Sequence, residues 1–131
     1  VSDSNEIQAV TSQIVNDKND VLYIPTDNLL ATYISSVEAI TTPAKIPCIV
    51  GEEGMVKSGG FATYGINYEN LGREAGKQAL AILKGEKTAA NTPVVKLDAK
   101  NCTLAINLRV AEKCGITINK EDYPDASFIE E

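Results

Sequence analysis

Short apolar runs alternate with segments of helical periodicity, and this alternation restricts the possible folds more than any other feature of the chain. Val21-Leu22-Tyr23-Ile24, Ile46 to Val50, Phe61 to Ile66, Pro93 to Leu97 and Cys102 to Ile106 each have the length of a strand. Between them, Glu6 to Asn16 places Ile7, Val10, Ile14 and Val15 at helical spacing. Asn28 to Ile40 does the same with Leu30, Tyr33, Ile34, Val37 and Ile40, and Glu69 to Lys84 with Leu71, Ala75, Ala79, Ile82 and Leu83. Strands alternating with helices form βαβ units, so an α/β fold is expected, with a mainly parallel sheet and helices on both faces. The unbroken apolar run Val21–Ile24 predicts a central strand buried on both sides.

Turn and cap residues punctuate the pattern. Asp3 with Glu6 resembles a capping box. Pro25 closes the first strand, Thr41-Thr42-Pro43 breaks the second helix, and Ser58-Gly59-Gly60 marks a turn. Gly85 and Gly115 stand where helices stop, and Asn107 caps a short helix reaching Cys114. Gly72 and Gly76 lie inside the helix at 69–84. Each costs roughly 1 kcal/mol against alanine, which predicts close packing of that helix backbone on a sheet. Residues 119–131 read as a loosely held acidic tail. Val1 reads as the end of a strand, so the chain is expected to start within a longer protein.

Composition excludes several functions. The 131 residues suit one compact domain, with 44% apolar and 23% charged residues. A net charge of −6, from 12 basic and 18 acidic residues, offers no footprint for nucleic acid and disfavours an anionic membrane surface. No apolar run approaches the roughly 20 residues that span a bilayer. With no histidine and three cysteines outside any CxxC spacing, no transition-metal site is expected. Cys48 reads as a small core residue. A bridge between Cys102 and Cys114 would span one strand-to-helix turn, but spacing alone does not establish it. Ser58-Gly59-Gly60 lacks the lysine of a phosphate loop, and Gly65, Gly72 and Gly76 are wrongly spaced for a dinucleotide fingerprint, so no cofactor is expected.

Ligands of open α/β sheets bind beyond the carboxyl ends of the strands, and two such ends are polar here. After the first strand comes Thr26-Asp27-Asn28, in which Asp27 suits a ligand ammonium and its neighbours offer donors and acceptors. The same residue types are preferred helix N-caps, and one residue can cap while its neighbour faces a crevice. After the next strand comes Gly51-Glu52-Glu53-Gly54, whose acids suit a cation or proton transfer, or form a solvated loop. Tyr64 and Tyr68 stand near the third strand end, either lining a crevice or packed elsewhere. Nothing supplies a nucleophile with its base, so no catalytic residue is assigned and the chain is not expected to be an enzyme.

Four stretches, taken together, resemble the ABC transporter substrate-binding protein family that includes tryptophan- and tyrosine-binding lipoproteins. They are Asp20 to Asn28, Ala44 to Val50, Gly60 to Tyr68 leading into Leu71-Gly72-Arg73, and Leu104-Ala-Ile-Asn-Leu108 through Cys114-Gly115-Ile116. The resemblance implies a periplasmic-binding-protein lobe of type I, the C-terminal of two lobes that close over a solute. It implies that residues 1–68 belong to that lobe, that residues 69–118 hold a crossover helix and terminal strands near the interlobe region, and that 119–131 form the tail. It further implies an extracytoplasmic location, a membrane permease as partner, and a small-molecule ligand, an aromatic amino acid among the candidates. Thr26, Asp27, Asn28, Gly51 and Glu52 would then be ligand-binding, although Glu52-Glu53-Gly54 departs from the small-residue–acid pair of the family. Asn67 and Tyr68 would lie where the chain crosses the hinge. The apolar face of helix 69–84 would remain uncovered unless it folds back or pairs with another copy, which suggests a homodimer. Two other readings remain: the effector-binding core of a transcription regulator, and a small α/β enzyme using Asp27 or Glu52.

Overall fold

The computed structural model describes residues 1–95 and 102–130. In chain order the elements are α1 (Ser4–Asn16), β1 (Leu22–Ile24), α2 (Asn28–Thr41), β2 (Cys48–Val50), α3 (Glu53–Lys57), β3 (Ala62–Ile66), α4 (Tyr68–Leu83), β4 (Cys102–Asn107), α5 (Leu108–Cys114) and β5 (Ser127–Ile129). The strands form one five-stranded sheet in the order β1-β2-β3-β4-β5. Pairing is parallel between β1 and β2, β2 and β3, and β4 and β5. The expected α/β class with a mainly parallel sheet is therefore the observed one.

The chain divides into two compact units. One holds Val1–Gly65 with Leu104–Glu131, and the other holds Ile66–Thr103. The core of the first is built from Ile7 of α1, Ile34 and Val37 of α2, Cys48 and Val50 of β2, Met55 and Val56 of α3, and Ala105 of β4. The spacing of Ile34 and Val37 explains why α2 docks there: three residues apart on a helix, they share one stripe. Burial pushes the Cys48 thiol above its ordinary value, and a contact with Thr41 Oγ1 at 3.4 Å offsets this only in part.

Three expectations need correction. β1 is an edge strand, and Tyr23 is 66% exposed while Ile24 is buried. With a neighbour on one side only, an apolar run need not be covered on both faces. The acidic segment is not loosely held throughout, because Ser127–Ile129 pairs with Ala105–Asn107 and Ile129 packs against the core. Gly72 and Gly76 mark no tight contact among the described residues: a Cβ at either would meet open space. The bridge considered between Cys102 and Cys114 is not formed. The strand expected over 93–97 lies partly outside the described residues.

In the second unit, α4 has no buried residue, and Leu83 is 84% exposed. It ends as its sequence predicts. Gly85 takes φ +74°, Glu86 N–H donates to Ala81 O at 3.0 Å and Gly85 N–H donates to Ile82 O at 3.0 Å, a Schellman closure.

Within the first unit an ion cluster joins helices far apart in sequence. Glu38 Oε1 of α2 accepts from Lys113 Nζ at 2.9 Å and from Arg109 Nη1 at 3.1 Å, both of α5. Burial pushes the Glu38 carboxyl up. The Lys113 hydrogen bond and the Arg109 and Lys113 charges outweigh it and hold the carboxyl below the ordinary value of 4.5. A carboxyl lowered by folding stabilises the fold above its unfolded pKa, and that contribution fades as pH falls through the folded one. Glu38→Gln is therefore expected to weaken the protein at pH ~7, with the gap to the parent closing as pH drops below about 4.5 in urea denaturation. Ile34, 1% exposed at the centre of the core, is expected to lose roughly 2–5 kcal/mol on substitution by alanine, read from the same curves.

Candidate functional site

The register of β1 on β2 decides where the polar strand ends lie. Leu22, Tyr23 and Ile24 stand opposite Cys48, Ile49 and Val50, so the chains leave the sheet level with each other. Thr26-Asp27 and Gly51-Glu52 are thereby neighbours. The approach is close: a Cβ on Gly51 would fall 2.3 Å from Thr26 N and 2.4 Å from Thr26 Oγ1. Only glycine fits there. The third strand reaches the same place, since a Cβ on Gly65 would lie 3.2 Å from Gly51 O and 3.6 Å from Glu52 Cα.

Both acids cap helices. Asp27 is the N-cap of α2, and its Oδ1 accepts from Leu30 N–H at 2.8 Å. Glu52 caps α3, with Oε2 accepting from Gly54 N–H at 2.8 Å and Oε1 from Met55 N–H at 2.7 Å. Two helix N-termini, each met by a carboxylate, thus start side by side at the sheet edge, where the helix dipole favours negative charge. The capping alternative weighed for Thr26-Asp27-Asn28 is the geometry found. Gly51-Glu52-Glu53-Gly54 is a strand-to-helix junction, with Glu52 half-buried, rather than a solvated loop.

Capping occupies the two acids unequally. An ionised carboxylate offers about four lone-pair directions, so Asp27 keeps acceptor capacity after bonding one N–H. Glu52 accepts two, one on each oxygen, from its own helix and keeps less. Thr26, Asp27 and Asn28 are all exposed, and Gly51 is half-buried. In the second unit Asn67 caps α4 by accepting from Asn70 N–H at 3.0 Å, and Tyr68 is exposed. Among the described residues no group of three or more histidine, cysteine or acidic side chains is placed to hold a metal ion.

Two site features escaped the sequence reading. Gly65 sits inside the β3 pattern, and a lone glycine within a strand signals close approach of another backbone. Asn107 caps α5 as its place in the sequence predicts, and it also reaches α3. Its signal, a polar residue ending an apolar strand, does not name a partner 51 positions away.

Comparison with known proteins completes the description. A sequence model of the family described as ABC transporter substrate binding protein matches residues 1–126. A tyrosine-binding protein of Clostridioides difficile strain R20291 is 44% identical over 98 residues, which are 75% of this chain and 28% of that protein. The ligand-free, open structure of a substrate binding protein with adhesive properties from Clostridium difficile is 35% identical with a TM-score of 0.78, covering 99% of this chain and 42% of that one. The ABC domain in complex with L-Trp from Streptococcus pneumonia is 29% identical with a TM-score of 0.80, over 99% and 43%. This chain therefore spans less than half the length of each of these relatives. Gly51→Ala is expected to force Thr26 away and lower the thermal midpoint by several degrees, as overpacking costs of about 1–3 kcal/mol imply, read by circular-dichroism melting.

Proposed function

This chain belongs to the ABC transporter substrate binding protein family, and on that premise we propose that it supplies one wall of a solute cleft in the binding component of an ABC importer. The observation carrying this reading is the junction of level strand ends, Thr26-Asp27-Asn28 beside Gly51-Glu52, in a chain matched to that family almost end to end. Rigid strand ends suit the work, because a cleft needs a few polar groups held in fixed directions and a second wall to exclude water. Closure of the two walls gives a membrane permease a shape to recognise.

The ligand in this reading is an aromatic amino acid. Two relatives support the class: one is named for tyrosine and the other was solved with L-Trp. Asp27, exposed and with acceptor capacity left, takes the α-ammonium group by a charge-assisted hydrogen bond. Thr26 and Asn28 offer groups to the remaining polar atoms, and Gly51 lets its strand end lie against Thr26. Glu52, fixed in direction by two N–H bonds from its own helix, shapes the wall and keeps fewer free acceptor directions than Asp27. The role is binding without catalysis, in an extracytoplasmic protein of the periplasm or of the membrane-anchored cell surface. Among the described residues no helix is long and apolar enough to cross a membrane.

The roles of Asp27 separate experimentally. Asn is as good an N-cap as Asp, so Asp27→Asn keeps the helix start while removing the charge. The thermal midpoint is expected to stay within a degree or two of the parent, while affinity for L-tyrosine or L-tryptophan falls about tenfold or more in calorimetric titration. Asp27→Ala loses the cap as well, at about 1 kcal/mol of stability. Unchanged affinity in Asp27→Asn would leave Asp27 a cap alone. Stabilisation of the protein by sugars or nucleosides, and by no amino acid, would remove the ligand assignment.

A further inference from the structure

The most completely enclosed polar side chain in the first unit lies away from the strand ends just described. Asn107 is 0% exposed, and its side chain bonds to two helices. Its Oδ1 accepts from Val110 N–H at 3.0 Å, capping α5. Its Nδ2 donates to Val56 O of α3 at 2.9 Å, across 51 positions of sequence. Its backbone N–H donates to Phe61 O at 2.8 Å, just before β3. A buried carboxamide with both ends satisfied is tolerated only where its geometry is met on both sides, because an orphaned buried donor or acceptor is costly.

The partner of Nδ2 gives the contact its meaning. α3 has five residues, far below the length at which a helix holds itself together. It persists because Met55 and Val56 are buried and because both of its ends are tied. The first end is tied by the Glu52 carboxylate, through Gly54 N–H and Met55 N–H. At the other end the chain closes on itself through Ser58 N–H to Gly54 O and Gly60 N–H to Met55 O. Val56 O accepts from Asn107 Nδ2 at 2.9 Å and from Gly59 N–H at 3.4 Å, so Asn107 is the bond that ties this end to another layer. Glu52 and Gly51 are continuous with α3, so a shift of that helix along its axis moves the strand end and its contact with Thr26.

We propose that Asn107 is a positioning residue: its carboxamide clamps the far end of α3 and so sets where Gly51 and Glu52 stand at the wall of the cleft. It touches no ligand itself, and the proposal rests on the reading of those two residues as part of the binding wall. The same side chain caps α5 through Val110 N–H, so α3 and the start of α5 are registered to one point.

Asn107→Ser tests this, because serine retains the N-cap of α5 and cannot span to Val56 O. Residue-resolved hydrogen exchange is expected to speed up about tenfold at Gly54 and Met55, the size of one lost buried hydrogen bond, with Val110 changed far less. Unchanged exchange at Gly54 and Met55 in a folded variant would overturn the proposal. So would an equal rise at every amide, which marks general loosening. Should the variant not fold, the unmodified protein decides: the Asn107 carboxamide protons must exchange as slowly as the Gly54 and Met55 amides. Much faster exchange at those two amides would show α3 moving independently of the clamp. Titration with L-tyrosine adds a separate reading, in which Asn107→Ser is expected to weaken binding about tenfold. If the parent binds no aromatic amino acid, the ligand assignment fails while the exchange data still decide the clamp.

Discussion

The close approach of Gly51 to Thr26 is the constraint on which the rest of the site depends. Parallel pairing in the register Leu22–Cys48 brings both strands out of the sheet at one level, and the missing side chain lets the two backbones meet. Helices α2 and α3 then begin side by side. Every other property of the site follows from this: two carboxylates at adjacent helix N-termini, a half-buried glycine between them, and an exposed Thr26-Asp27-Asn28 edge. A side chain at position 51 would part the strand ends and separate what the fold assembles.

Capping and ligand binding compete for the same atoms, and the two acids resolve the competition differently. Asp27 has a short side chain that reaches one N–H and leaves acceptor directions facing outward. The extra methylene of Glu52 lets its carboxylate fold back over two N–H groups of its own helix. Such a carboxylate is fixed in direction, which suits a wall more than a grip. The same economy of short elements runs through the unit. α3 cannot stand alone, and α5, seven residues long, is held by the Asn107 cap and by Arg109 and Lys113 on Glu38. These contacts are long in sequence and partly shielded from water, so they tie the layers together more firmly than the surface pairs Lys57–Glu53 or Arg73–Glu69.

The second unit shows how far local rules carry a helix. α4 is amphipathic, properly capped by Asn67 and closed at Gly85, and yet none of its residues is buried. Intrinsic propensity and capping suffice to define its ends, while burial needs a surface that the described residues of its own unit do not provide.

Sequence alone determined what depends on near neighbours: the alternation of strands and helices, the parallel sheet class, the caps at Asp3, Asp27 and Asn107, and the stops at Gly85 and Gly115. Each is a matter of periodicity or of a side chain bonding within four residues, so it is written in consecutive letters. Tertiary structure decided the position of β1 at the sheet edge, the pairing of Ser127–Ile129 with β4, the open space around Gly72 and Gly76, and the reach of Asn107 to Val56. Those depend on which distant segments meet. An apolar run looks the same whether one neighbour or two will cover it, and a glycine looks the same beside empty space as beside another backbone.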